Sequence, residues 1–172
     1  MELLHSETVF DGPFVDLAKK RYRRRDGSEV ERQVVEHPGS VGIVAHDDEL
    51  VYLVRQPREA VEEDGLLEIP AGTLDRAEES ELECAERELA EEVGLRAARW
   101  TELHSIYASP GFLSEKLTIF EATGLSPADG ETDETEDIEV VRLPLAGLDA
   151  ALRDVEDAKT WVGLGLLRFR TS

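Results

Sequence analysis

The segment from Ser80 to Leu95 constrains the chain most. Leu82, Ala85, Leu89 and Val93 recur at helical spacing, and Gly94 supplies a natural C-terminal stop. A helix from about Ser80 to Val93 is therefore expected. On a wheel of about 100° per residue the four apolar residues cluster within roughly 80° and face the core. Glu88, Glu91 and Glu92 spread over roughly another 100° on a flank. Glu88 and Glu92 are one turn apart, so their carboxylates are neighbours, at a cost of a few tenths of a kcal/mol in an isolated helix. Carboxylates so placed suit hard divalent cations, which bind through oxygen. Arg87, four residues before Glu91, can pair with it and orient it. The same pattern also describes a solvated acidic face, and the helix alone does not separate the two.

Charge narrows the classes of partner. The formal net charge is −20 over 172 residues, a field that disfavours DNA, RNA and anionic membranes. A solvated acidic surface is the ordinary source of such a charge. Basic residues are mostly arginine, with only Lys19, Lys20, Lys116 and Lys159 as lysines. Acid excess with scarce lysine raises the hypothesis of a halophilic protein, whose self-repulsion salt would screen. If the substrate is an anion, bound metal and arginines must invert this field locally.

A hydrophobic fraction of 41% is enough for a core, and the length suits one domain or one domain with a small appendage. A single cysteine, Cys84, excludes an internal disulfide and fits a reducing cytosol. The start, Met1-Glu2-Leu3-Leu4-His5, lacks the pattern of a secretion signal. No run approaches the ~20 apolar residues of a membrane span. A cytoplasmic protein is expected. His5, His37, His46 and His104 are scattered without ligand spacing.

The first 37 residues read as strands, with Thr8–Phe10 and Phe14–Leu17 β-rich and Asp26-Gly27 a hairpin signal between Arg21–Arg25 and Glu29–Glu36. Pro38-Gly39 marks a boundary. Strands are expected at Ser40–His46, Leu50–Arg55, Leu66–Ile69, Arg99–Ile106, Lys116–Ala122 and Ile138–Arg142. Leu145–Arg153 and Asp157–Phe169 look helical. This mixed order suggests α+β or α/β/α packing rather than a regular βαβ series.

Upstream of the helix stand Glu68-Ile69-Pro70-Ala71-Gly72 and Glu78-Glu79. With Arg87-Glu88-Leu89-Ala90-Glu91-Glu92-Val93-Gly94-Leu95 they resemble the signature of the Nudix hydrolases: a glycine, a glutamate, then Arg-Glu-aliphatic-x-Glu-Glu-x-Gly-aliphatic. Residues 87–95 match at every defined position, and Glu79 has the spacing the pattern asks. Gly72 comes one residue early, with Thr73 in the expected place, which reads as a one-residue insertion in the loop Thr73–Glu78. The resemblance implies a Nudix-like α/β/α sandwich with a mixed β-sheet, here over residues 38–172, preceded by the antiparallel β segment of residues 1–37. It also implies Mg²⁺ or Mn²⁺ and attack of water on a nucleoside diphosphate joined to another group.

Three segments resemble the ADP-ribose pyrophosphatase branch of that family: Arg32–Gly39, Val54–Arg58 with Leu67–Gly72, and Ser109-Pro110-Gly111-Phe112. Pro110 lies 15 residues beyond Leu95, close to the spacing of this branch, while Pro57 departs from it and leaves the direction of Arg58 open. By resemblance the metal ligands are Glu88, Glu92, the carbonyl of Ala71 and Glu136. Glu91 binds metal directly or through water, and Arg87 orients it. Matching Glu-x-Glu-Asp-Ile makes Glu134 the base, with Glu115 the runner-up. Arg32 and Arg58 are phosphate-clamp candidates because a guanidinium matches phosphate oxygens. Pro110, Gly111 and Phe112 are expected beside the substrate. The expected reaction converts ADP-ribose to AMP and ribose 5-phosphate. The alternatives are another nucleotide sugar, a dinucleoside polyphosphate, or a non-catalytic nucleotide-sugar sensor. The N-terminal segment, too small for much core of its own, suggests a homodimer in which it exchanges between subunits.

The halophile hypothesis makes one direct prediction. The melting temperature should rise between low and molar salt, and a thermal melt that shows no rise would sink it.

Overall fold

The computed structural model describes residues 1–13, 15–128 and 137–170. Glu134, Glu136 and Phe14 thus lie outside the described residues. The described chain divides into two compact units, one formed by residues 1–39 and 107–116, the other by residues 40–106 and 117–172.

The first unit is a three-stranded antiparallel sheet of β1 (Glu2–Asp11), β2 (Asp16–Arg23) and β3 (Glu29–Glu36), in that order. The Asp26-Gly27 signal becomes the β2–β3 turn. Gly27 takes φ +83°, a left-handed conformation with little steric penalty for glycine. Asp26 accepts hydrogen bonds from the Ser28 amide at 3.0 Å and its hydroxyl at 2.6 Å. β1 runs longer than the expected Thr8–Phe10. Its partner β2 supplies a ladder from Glu2↔Arg23 to Asp11↔Asp16, with register shifts between Leu3 and His5 and between Thr8 and Phe10, and pairing extends a strand beyond its β-rich centre. Cross-strand ion pairs tie the sheet, Lys20 to Glu36 at 2.5 Å and Arg23 to Glu2 and Glu29 at 3.3 Å each. Loop 107–116 is stitched onto β3. The Val35 amide donates to the Phe112 carbonyl at 2.8 Å, and the Ser114 amide to the Val35 carbonyl at 3.0 Å.

The second unit is the expected α/β/α arrangement. Its sheet has the strand order β10-β5-β4-β9-β8, from β4 (Ser40–His46), β5 (Leu50–Arg58), β8 (Leu95–Tyr107), β9 (Lys116–Pro127) and β10 (Glu139–Pro144). Two short strands, β6 (Glu63–Glu68) and β7 (Ala71–Thr73), pair with β5 and β4. The sheet is mixed, since β4 runs parallel to β9 and antiparallel to β5 and β7. β4 is apolar at nearly every position because both its faces are covered.

Alternation along the strands sends side chains to two cores. Val41, Ile43 and Ala45 join Cys84, Ala85, Leu89 and Val93 of helix α1 (Glu81–Val93) on one face. Val44, Leu53, Ile69 and Ile119 join Leu148 of α2 (Leu148–Asp154) and Leu164 and Leu167 of α3 (Ala158–Arg170) on the other. Close approach of α3 to the sheet needs Gly163, where a Cβ would come within 3.0 Å of Ile69 and Val44. Trp100 packs edge-on against Phe120, with ring centroids 6.4 Å apart.

The helical face differs from the wheel in one respect. Leu82 was expected in the core and is 38% exposed, whereas Cys84 and Glu92 are buried. The buried arc is turned toward β7, which runs beside this flank of the helix and offers the Thr73 carbonyl to the Cys84 thiol at 3.6 Å. Burial first of all pushes that thiol up to about 12.

Candidate active site

Helix α1 is built to start and stop where the motif needs it. Ser80 caps it in a reciprocal capping box: its hydroxyl accepts from the Glu83 amide at 3.2 Å, and the Glu83 carboxylate accepts from the Ser80 amide at 2.8 Å. Gly94 ends it at φ +71°, donating to Ala90 at 3.1 Å. Between these ends lie Glu88, Glu91 and Glu92, with Arg87 beside them.

Arg87 is the hub. It grips Glu79 with two parallel bonds, Nε to Oε1 at 2.8 Å and Nη2 to Oε2 at 3.0 Å. Its Nη1 reaches Glu88 at 2.5 Å and Glu91 at 2.8 Å. Glu79, then Glu91 and Glu88, hold the guanidinium charged well above its ordinary range, and Arg87 in turn holds the Glu79 carboxyl below the usual carboxylate value. The expected pairing with Glu91 is one of three carboxylate contacts, and Arg76 shares Glu91 at 3.4 Å. Clustering three carboxylates around one cation offsets their mutual repulsion and fixes their rotamers.

The segment after β6 faces this helix. The Ile43 amide donates to the Pro70 carbonyl at 2.8 Å, and the Ala71 amide donates to Glu92 Oε2 at 3.0 Å. Glu92 is only 8% exposed, so that amide meets part of the cost of burying its charge. Gly72 lies against the Glu88 side chain so closely that a Cβ there would overlap its carboxylate. Gly72 is thus a glycine because of close approach, a role sequence reading missed when it treated the residue only as a displaced motif position. Downstream, in the loop that leads to Glu79, Glu78 takes a left-handed φ of +68° and the Glu79 amide closes a turn onto Arg76 at 3.3 Å.

Glu88, Glu91, Glu92 and the Ala71 backbone are thereby brought together on one side of α1. Among the described residues no group of three His, Cys, Asp or Glu is already gathered around a common point suited to a metal. What the described site offers is a set of hard oxygen donors, the kind a divalent magnesium-like cation takes.

Arg58 stands at the end of β5 with its Nε and Nη2 on the buried Glu68, at 2.6 and 2.7 Å. Its charge is stabilised first by that bond and more distantly by Glu92. Arg32, Pro110, Gly111 and Phe112 belong to the other unit. There Arg32 donates to the Glu31 carbonyl at 2.7 Å, the Phe112 amide turns back onto Ser109 at 3.2 Å, and the Phe112 ring is 57% exposed. Sequence reading also missed the polar cluster of Glu68, Asp157, Lys159 and Thr160. Its signal was a glutamate inside the apolar run Leu66-Leu67-Glu68-Ile69, which marks a buried charge in need of partners.

The Gly72 contact yields a prediction. Gly72→Ala should push Glu88 off its rotamer and lower turnover on the order of 10-fold or more while the melt stays cooperative, as expected for a displaced supporting group. Full turnover in a steady-state assay would show that the close approach is not needed.

Comparison with known proteins places these features. Residues 36–162 match the NUDIX domain family. The chain is 36% identical over 169 residues to the ADP-ribose pyrophosphatase of Bacillus subtilis (strain 168), covering 95% of this chain and 90% of that protein. It is 31% identical to the methanol dehydrogenase activator of Bacillus methanolicus, covering 97% and 92%. A crystal structure of an ADP compounds hydrolase superposes with a TM-score of 0.82 at 30% identity, covering 98% of this chain and 92% of that one. A matching domain over most of the length, its signature helix from Arg87 to Leu95 and the α/β/α fold around it agree, and the chain belongs to the Nudix family.

Proposed function

We propose that this Nudix pyrophosphohydrolase splits ADP-ribose into AMP and ribose 5-phosphate. The observation that carries the reading is the packing of Glu88 and Glu92 against the Ala71-Gly72 backbone, with Arg87 fixing the carboxylates. The substrate comes from the ADP-ribose pyrophosphatase relative, aligned over nearly the whole chain.

Glu88, Glu92, the Ala71 carbonyl and Glu136 would hold Mg²⁺ or Mn²⁺, and Glu91 would add a direct or water-mediated contact. Such a cation neutralises charge developing on the diphosphate. Arg87 keeps Glu88 and Glu91 in place. Glu134 takes a proton from the attacking water, with Glu115 the second choice. A new bond forms between that water's oxygen and one phosphorus. The bond from that phosphorus to the bridging oxygen breaks, and the other phosphate leaves with its sugar. Arg58 binds diphosphate oxygens. We further propose that the protein works in the cytosol as a homodimer through its N-terminal sheet, whose Leu3, Val9 and Phe10 are more than half exposed. No helix among the described residues is long and apolar enough to cross a membrane.

Two measurements test the chemistry. In a panel of ADP-ribose, other nucleotide sugars and dinucleoside polyphosphates, with Mg²⁺ and with Mn²⁺, ADP-ribose should be turned over fastest; equal or slower turnover removes the assignment. Glu92→Gln keeps an oxygen for the Ala71 amide but loses the charge. It should cost on the order of 10²-fold in kcat with the fold retained, and a near-normal rate would refute the ligand role. Light scattering at micromolar concentration should give twice the chain mass, and a monomer mass overturns the dimer.

A further inference from the structure

Glu68 is fully buried, and an isolated carboxylate there would be prohibitively costly. Burial pushes its pKa up, but the Arg58 hydrogen bonds and the neighbouring Lys159 outweigh this and hold it below the ordinary carboxylate range. Arg58 takes both oxygens of Glu68, and Lys159 Nζ takes Oε2 as well, at 2.5 Å. Lys159 is anchored from behind by Asp157 Oδ1 at 3.1 Å. Asp157 Oδ2 accepts from the Thr160 amide at 2.9 Å and its hydroxyl at 2.6 Å. The Thr160 oxygen accepts from the Ile69 amide at 2.7 Å, closing the ring one residue after Glu68.

Two acids and two bases make this ring electrically balanced, yet its members differ in access. The side chains of Glu68 and Lys159 are 1% and 18% exposed, whereas that of Arg58 is 41% exposed. Arg58 is gripped along its Nε–Nη2 edge, and its side chain is the one of the three that stays substantially open to solvent. Lys159 shares the Glu68 carboxylate with Arg58, so Arg58 does not have that charge to itself. A guanidinium held by one edge also loses less freedom on binding.

We infer that Lys159, backed by Asp157, is a positioning residue for Arg58: through the shared carboxylate of Glu68 the first turn of α3 aims the arginine at the diphosphate. The inference rests on the reading of Arg58 as a diphosphate contact. Nothing in the motif of α1 points to a residue so late in the chain.

A double-mutant cycle with ADP-ribose separates the two. Arg58→Met should raise KM on the order of 10-fold, the loss of a charge-assisted phosphate contact. Lys159→Met should raise KM about 5-fold with kcat within about 2-fold, and Lys159→Arg should restore most of it. In the double variant KM should equal that of Arg58→Met alone, because Lys159 acts only through Arg58. A merely structural lysine would instead multiply the two effects, which overturns the inference. Arg58→Met with unchanged KM overturns the Arg58 reading and the inference together. An effect of Arg58→Met without one of Lys159→Met overturns the inference alone. Should Lys159→Met not fold, Asp157→Asn takes its place, keeping one oxygen for Thr160. Its KM should then rise with Arg58 present and stay level without it; a rise in both backgrounds, or in neither, counts against the inference.

Discussion

The hydrogen bond from the Ala71 amide to Glu92 is the constraint on which the second unit turns. It joins the backbone that follows β6 to the helix that carries the carboxylates. Each side of the joint is fixed independently. Pro70 is held by β4 through the Ile43 amide, and Ile69 is held by Thr160 at the start of α3. Glu92, in turn, is fixed by the packing of Leu89 and Val93 into the core that α1 shares with β4. A buried charge on a rigid helix facing a rigid backbone has little freedom to relax, so its geometry is set before any substrate arrives.

The electrostatics follow the same logic at larger scale. The chain is strongly acidic, yet within the second unit the acids nearest the site are gathered around basic side chains. Glu79, Glu88 and Glu91 surround Arg87, and Glu68 lies between Arg58 and Lys159. One of the four lysines of the chain is spent in the second of these clusters. Pairing these acids with arginine and lysine offsets part of the local field that a net charge of −20 raises against an anionic ligand, and a bound cation must supply the rest.

Much of the second unit was legible because its signals are local. A short continuous apolar run placed β4 and a period of 3.6 placed α1, and Gly94 ended the helix as its lack of a side chain allows. The carboxylate pair at Glu88 and Glu92 was legible for the same reason, since helical spacing alone makes them neighbours. What escaped was set by partners distant in sequence. β7 has three residues and exists because β4 pairs with it, so no window of sequence announces it. Leu82 obeys the apolar period, yet the buried arc of α1 follows β7, and Cys84 fills the place instead. The Glu68–Lys159 and Ile69–Thr160 bonds of the ring each span a separation of 91 residues, and only the fold brings those groups within reach.

The stitching of loop 107–116 onto β3 has a kinetic side. The His37 amide bonds to the Ser114 hydroxyl across a separation of 77 residues, so the first unit is not a continuous stretch of chain. On a ribosome β1 to β3 emerge long before the loop that completes them. Their sheet must wait, with its β3 edge open, while most of the central sheet of the second unit is made. Such a long-range closure slows folding, because a large loop must be ordered before its contacts repay the entropy. An open strand edge in that interval is a natural contact for a chaperone or for a neighbouring nascent chain.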